Sequence, residues 1–260
     1  MIGALRIGLM LPAIVLATAL VAIVQPPVLA LGLNPYLIPR LWHRAAARMF
    51  GMRIRRRGDM AAGRPLLLVS NHVSWTDIIV IGAQGDLSFV AKADMVGWPV
   101  FGWLSTLQRT IFVERDKTRK SGEQANDIGS RLTAGEALVL FAEGTTGDGN
   151  FLLPFKSSLF GAADVALAAG AEAIHIQPVA IAYTRLQGMA MTRRERALAA
   201  WIGDATLVPH MLRLLREGAL DVTVAFGEPI MFKPGDRRKR IAGMVEAEVR
   251  AMMARALREP

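Results

Sequence analysis

The run Leu66-Leu67-Leu68-Val69-Ser70-Asn71-His72-Val73-Ser74-Trp75-Thr76-Asp77 decides how this chain is read. Four consecutive apolar residues without polar alternation predict a short buried strand. The polar residues that follow predict a loop, and Ser74 with Asp77 three positions later predicts the start of a helix. Strand, loop and helix in that order are the unit of an α/β domain.

The same alternation recurs from Pro65 onward. Strands are predicted at 66–69, 88–91, 110–114, 137–141, 174–183 and 221–226, and helices at 117–132, 158–169 and 237–257. The expected architecture is an α/β catalytic domain over residues 61–260, built on a mixed central sheet flanked by helices.

Upstream the pattern is different. Residues 7–33 carry no charge and follow Arg6 directly, a stretch long enough for a hydrocarbon layer of about 30 Å. Pro12 is expected to kink a helix there, and Gln25-Pro26-Pro27 to break it, leaving a second apolar piece at 28–33. Crossing the bilayer and dipping into one leaflet both fit. A cleaved signal peptide would share the basic start, but no small-x-small site closes the segment and the next stretch stays basic and amphipathic. Trp42, His43, Arg44, Arg48, Met49, Phe50 and Met52, followed by Arg53, Arg55, Arg56 and Arg57, resemble a headgroup-level interface. Residues 1–60 are therefore expected to be an apolar anchor with a basic interfacial segment. The positive-inside tendency puts the catalytic domain on the cytoplasmic face of a bacterial inner membrane.

Composition narrows the chemistry. Of 260 residues 52% are hydrophobic, which excludes global disorder, and 31 basic against 22 acidic residues give a formal charge of +9, which favours anionic partners. The absence of cysteine excludes disulfide frameworks, thiolate metal sites and cysteine nucleophiles. His43, His72, His175 and His210 show no ligand spacing, so no metal is expected; His175 and His210, in apolar surroundings, read as structural.

His72 and Asp77 form the reactive pair. Five residues apart on a continuous helix they would differ by about 140° around the axis, so they can meet only if the helix begins between them. The carboxylate would then take one imidazole N–H and leave the other nitrogen free as a base. The residues alone also allow a capping carboxylate beside an ordinary loop histidine. There is no Gly-x-Ser-x-Gly elbow and no cysteine, so a His/Asp pair would activate a substrate hydroxyl. Glu143-Gly144-Thr145-Thr146 follows another predicted strand and opens a loop with Gly147 and Gly149, whose backbone N–H groups could face an anion. Its spacing is neither that of a P-loop nor of a dinucleotide fingerprint. A plain glycine turn with a paired carboxylate is the competing account.

The segment Asn71 to Asp77 resembles the His-x-x-x-x-Asp box of the glycerolipid acyltransferases, the 1-acylglycerol-3-phosphate O-acyltransferase family. Phe89-Val90-Ala91-Lys92 with Trp98-Pro99-Val100-Phe101-Gly102 resembles the family's next block, and Thr110-Ile111-Phe112-Val113-Glu114-Arg115 its arginine-bearing strand. Phe141-Ala142-Glu143-Gly144-Thr145 is similar to its Glu-Gly-Thr box; Leu153-Pro154-Phe155-Lys156 and Ile176-Gln177-Pro178-Val179-Ala180 resemble the segments after it. In order, these cover residues 65–183.

The resemblance implies that His72 is the general base on a lysolipid hydroxyl and that Asp77 orients it. It implies an acyl-carrier-protein or coenzyme A thioester as donor, no cofactor, and substrate contacts from Lys92, Arg115, Glu143, Gly144, Thr145, Thr146 and Lys156. One position departs from the family pattern: phosphatidate-forming members usually carry arginine where this chain has Thr146, and threonine cannot offer a bidentate charged fork to phosphate. The Glu-Gly-Thr-Thr variant resembles the branch that acylates lyso-ornithine lipid, which has no phosphate. Both acceptors, lysophosphatidate and lyso-ornithine lipid, stay open. Trp75 and Trp98 read as packing or interface residues. The clusters Arg193-Arg194-Arg196 and Arg237-Arg238-Lys239-Arg240 could meet nucleic acid, but a bilayer and an acidic carrier explain them without any recognition module, and no nucleic-acid partner is expected. A catalytically silent membrane-surface binding protein with the same fold is the alternative function.

Overall fold

The computed structural model describes residues 2–98, 101–113, 121–203 and 205–260. Along the chain come α1 (Ile2–Ala30), α2 (Leu37–Met49), β1 (Met52–Arg57), β2 (Leu66–Ser70), α3 (Thr76–Gly82), β3 (Ser88–Lys92), α4 (Phe101–Leu107), β4 (Ile111–Val113), α5 (Ser121–Thr133) and β5 (Ala137–Phe141). Then follow α6 (Gly161–Ala168), β6 (Ile174–Leu186), β7 (Met189–Ala190), α7 (Arg193–Ala199), α8 (Leu207–Glu217), β8 (Leu220–Phe226), β9 (Ile230–Phe232) and α9 (Arg238–Arg258).

The strands form one mixed sheet in the order β1-β8-β6-β2-β5-β3-β4, with β7 and β9 added to β6. Neighbours are parallel except that β6 runs antiparallel to β8, β7 and β9. β2 lies near the middle, and its side chains alternate between two cores because strand residues point to opposite faces. Leu66 and Leu68 join the cluster that includes Phe50, Ile81, Tyr183 and Leu215, whereas Leu67 and Val69 join the one that includes Leu132, Phe160, Val245 and Met253. Helices α1, α2, α3 and α8 therefore cover one face, and α5, α6 and α9 the other.

Two expectations for the first sixty residues are corrected. Pro26 and Pro27 do not break the first helix; α1 runs unbroken through both to Ala30. They fall within the last five residues of the helix, and each removes a single intrahelical donor. Gly32 ends the helix in the left-handed region (φ +64°), and the chain reverses there into α2. The arginine-rich run at 52–57 is not a free interfacial segment. It is edge strand β1, paired in parallel with β8 from Met52↔Leu220 to Arg57↔Ala225. Its arginines stay largely outward and find acids, Arg55 with Asp221 at 2.9 Å and Arg57 with Glu259 at 3.3 Å. His43, Phe50 and Met52 turn inward and are buried. An alternating apolar-cationic pattern describes an amphipathic strand as well as an interface, and here the sheet claims the apolar half.

The helix α1 lies on the domain rather than apart from it. Its inner side, with Ile7, Met10, Leu11 and Ile14, packs on the core. Arg6 donates to the Leu215 carbonyl near its start, Trp42 of α2 donates to Thr18 at its middle, and Gln25 near its end donates to the carbonyls of Pro35 and Leu107.

Candidate active site

Parallel neighbours end at one edge of a sheet, which is where α/β proteins place ligands. Here β2 and β5 are in parallel register with Ser70 opposite Phe141, so the loop carrying His72 and the loop carrying Glu143 leave the sheet side by side. β3 ends at Lys92 along the same edge, opposite Val113 of β4. A concavity of about 580 Å³, lined in part by Met60, His175, Gln177 and Glu228, lies elsewhere, beside the start of β2.

The helix after the His72 loop starts at Thr76, one turn position later than Ser74 capping would give. Trp75 is the N-cap and makes no side-chain cap, while the Ser74 hydroxyl accepts only a long bond from Thr76 N at 3.4 Å. Asp77 does the capping instead. Its Oδ2 accepts from the backbone N–H groups of Val73 (2.6 Å) and Ser74 (2.9 Å) and from Nδ1–H of His72 (2.8 Å). Its Oδ1 accepts from the Tyr183 hydroxyl at 2.7 Å. Because every partner donates, the arrangement suits a carboxylate, and it fixes the imidazole tautomer with the proton on Nδ1. Nε2 is then the free basic nitrogen. Asp77 is fully buried, whereas the His72 side chain is 19% exposed, so the imidazole reaches solvent and its partner does not.

The His72 loop is held from three more sides. Asn71 bonds both polar backbone groups of Ile181, donating to its carbonyl (3.0 Å) and accepting its N–H (2.8 Å), and so extends the β2–β6 ladder by a side chain. Glu143 Oε1 accepts the His72 N–H at 3.1 Å, and the Gly147 N–H donates to the His72 carbonyl at 2.8 Å. Beneath the ring, Phe141 stacks on the imidazole with centroids 4.0 Å apart and planes 16° apart. Burial pushes the Glu143 carboxyl up to about 8, against the pull of the His72 and Leu153 backbone N–H groups and with help from the Asp77 charge. At neutral pH Glu143 is therefore mainly a neutral carboxyl group that accepts a backbone hydrogen bond.

The other expected site residues are placed unevenly. Gly144 occupies the left-handed region (φ +74°), where the chain turns after Glu143, and Thr145 is exposed. The Thr146 hydroxyl donates to the backbone carbonyl of Trp201, whose own N–H donates to the Val73 carbonyl at 2.9 Å. Thr146 thus fastens the 200–203 segment to the Glu143 loop, and the Trp201 N–H fastens it to the His72 loop. Lys156 is exposed, and its backbone N–H folds onto the Ala142 carbonyl. Arg115 lies outside the described residues. His210 is structural: it accepts the Trp75 indole N–H at 2.9 Å and bonds the Leu198 carbonyl. Among the described residues no group of three or more His, Asp or Glu side chains could hold a metal ion. The Gly147 N–H, expected to face an anion, is spent on the His72 carbonyl, and Asn71, Phe141, Tyr183 and Trp201 carry no site role in the sequence reading. For Tyr183 a signal existed, since a tyrosine ending a long buried strand needs a partner for its hydroxyl.

A mixed-sheet α/β fold with an oriented histidine at the carboxyl ends of its parallel strands fits an acyltransferase, and comparison with known proteins shows that class. The family model described as Acyltransferase matches residues 51–182, starting one residue before β1, and the chain belongs to this family. It is 53% identical over 221 residues to the lyso-ornithine lipid O-acyltransferase of Brucella abortus, covering 85% of this chain and 83% of that one. It is 46% identical over 260 residues to the lyso-ornithine lipid O-acyltransferase of Rhizobium meliloti, covering 99% and 89%. The crystal structure of the 1-acyl-sn-glycerophosphate acyltransferase of Thermotoga maritima shares the fold, with a TM-score of 0.60 at 20% identity over 83% of this chain and 77% of that one.

Proposed function

We propose that this chain is a membrane-bound O-acyltransferase. It moves a fatty acyl group from an acyl-carrier-protein or coenzyme A thioester to the free hydroxyl of a lysolipid, with lyso-ornithine lipid as its acceptor. The observation that carries the reading is the 2.8 Å bond from His72 Nδ1 to Asp77 Oδ2, which leaves Nε2 as a base on a partly exposed ring. Nε2 takes the hydroxyl proton as the oxygen bonds to the thioester carbonyl carbon. The resulting tetrahedral intermediate collapses, the carbon–sulfur bond breaks, and the thiolate recovers the proton from Nε2. A thioester is already activated, so the protein has mainly to align two reactants, and alignment can lower such a barrier by about 7 to 11 kcal/mol. Lys156, exposed in the segment that follows the Glu143 loop, is a cation for anionic parts of donor or acceptor; the family resemblance adds Lys92 and Arg115.

Two observations favour lyso-ornithine lipid over lysophosphatidate. The relatives at 53% and 46% identity are named for that acceptor. Thr146 stands where a phosphate clamp would be charged, and its hydroxyl is spent on Trp201.

Membrane attachment is supported by α1. Its outer stripe of Ile2, Leu5, Leu9, Leu16, Leu20 and Ile23 is exposed, and its composition is long and apolar enough to cross a bilayer. Yet it is fastened to the domain at its start, middle and end, and a helix so held cannot stand upright across a bilayer with that domain on one side. We place it within one leaflet, with the catalytic domain on the cytoplasmic face of the inner membrane.

The test is acyl transfer by purified protein in vesicles, with lysophosphatidate and lyso-ornithine lipid offered separately to one labelled donor. Wild type should favour lyso-ornithine lipid. His72→Ala should abolish transfer while leaving vesicle association intact. Transfer by His72→Ala at the wild-type rate would overturn the mechanism, and equal use of both acceptors would overturn the assignment of the acceptor.

A further inference from the structure

Tyr183 lies on β6, over a hundred residues from the His72 loop in sequence, and its side chain crosses the core from the sheet to the first turn of α3. It is 2% exposed. Its hydroxyl oxygen is 2.7 Å from Asp77 Oδ1 and 2.6 Å from Thr76 Oγ1. A tyrosine hydroxyl has one proton to give, and a carboxylate can only accept. The Tyr183 proton is therefore on the bond to Asp77, and the Thr76 hydroxyl donates to Tyr183. The result is a directed chain from Thr76 through Tyr183 and Asp77 to the His72 imidazole, in which each bond polarises the next.

We propose that Tyr183 is a positioning residue for acyl transfer: through Asp77 Oδ1 it fixes the rotation of the carboxylate and sets how strongly Oδ2 supports the imidazole. This rests on the reading of His72 as the base. Three donors already hold Oδ2, but all lie on the loop or its backbone, so nothing local keeps Oδ1 from taking its place by rotation about the carboxylate bond. Tyr183 comes from the rigid centre of the sheet and occupies Oδ1 from the other side. It also draws negative charge from Asp77. Without it the carboxylate would keep more of its charge for Oδ2 and stabilise the imidazolium more.

The experiment compares wild type, Tyr183→Phe, Thr76→Val and His72→Ala in vesicles, reading kcat and kcat/KM against pH together with melting temperature. Tyr183→Phe should lower kcat by about tenfold, the scale of one hydrogen bond to a charged group, with KM for both substrates nearly unchanged. Its acid limb of kcat/KM should move to higher pH. Thr76→Val leaves Tyr183 in place and should shift the limb in the same direction by less. In an Asp77→Asn background Tyr183→Phe should cost no further activity, because its effect passes through that carboxylate.

A Tyr183→Phe enzyme with wild-type kcat and an unmoved acid limb would overturn the proposal, as would a variant that loses only melting temperature. If Tyr183→Phe fails to fold, an unmoved limb in Thr76→Val overturns it. Should His72→Ala retain transfer, the base assignment itself fails whatever the tyrosine variants do. Loss of transfer in His72→Ala with unmoved tyrosine profiles sinks the positioning role alone.

Discussion

Phe141 and His72 stack almost face to face, with ring centroids 4.0 Å apart. Phe141 is the last residue of β5 and stands opposite Ser70, the last residue of β2, so parallel register alone delivers the ring to the histidine loop. A face-on aromatic ring limits imidazole tilt and, in the proposed mechanism, favours the imidazolium by about 0.5 to 1 kcal/mol. Phe141→Leu should therefore lower kcat by about two- to fivefold, and the acid limb of its pH profile should move to lower pH. A kinetic pH profile checks both, and a limb that moves upward would contradict the stacking argument.

Glu143 makes a prediction that distinguishes charge from shape. A carboxyl whose folded-state pKa is raised from 4.5 to about 8 binds its proton more tightly in the fold. The stability it lends is complete below pH 4.5 and is lost as pH rises to about 8. Glu143→Gln keeps the acceptor for the His72 N–H and has no proton to lose. It should retain most activity at pH 7, and the melting temperature of wild type should fall relative to it between pH 4.5 and 8. Glu143→Ala strands the His72 N–H and should lose activity at every pH.

Asn71 predicts a stability effect with a kinetic consequence. Asn71→Ala leaves the buried N–H and carbonyl of Ile181 without their partner, at a cost of about 1 to 3 kcal/mol for each group so stranded. Urea unfolding should show a clear loss, and kcat should fall because the loop loses its fastening to β6. Asn71→Asp keeps one acceptor and should fall between the two.

Thr146→Arg tests acceptor choice. An arginine fork can hold phosphate in a bidentate manner where threonine cannot, so the ratio of lysophosphatidate to lyso-ornithine lipid turnover should rise. Thr146→Val removes only the bond to the Trp201 carbonyl. It should weaken both activities without changing their ratio. An unchanged ratio in Thr146→Arg would show that acceptor choice lies elsewhere.

His43 makes the opposite pH statement from Glu143. Its burial between α2 and its neighbours drives its pKa down from 6.5 to about 3, against the Gln108 amide that bonds it at 2.7 Å. The neutral ring lends stability that is present above pH 6.5 and lost as pH falls towards 3. His43→Gln removes that titration, so its melting temperature should fall less steeply than wild type over the same window.

The central strands and the pair itself were legible because their signals are local. An unbroken apolar run such as Ala137–Phe141 matches its strand end for end, and His72 and Asp77 meet because a helix starts between them, as their spacing requires. What stayed hidden depends on distant partners. Met52–Arg57 reads equally well as a membrane fringe or as an edge strand until β8, some 170 residues later, supplies the partner. Thr146 reads as a missing clamp until Trp201 arrives beside it. Tyr183 and Asn71 act across 106 and 110 residues, and no window on the sequence contains both ends of either contact. Gln25, just before the two prolines, is likewise held by a partner 82 residues away, the Leu107 carbonyl.

The three fastenings of α1 give the molecule one mechanical degree of freedom where a loosely tethered enzyme would have several. With α1 in one leaflet, as proposed, any tilt of the helix is shared by the sheet, and the depth of the helix sets the height of the Nε2 nitrogen relative to the headgroups. On that reading, lipids that let α1 settle deeper or shallower in its leaflet would register as a change in turnover, without any molecule binding to the enzyme.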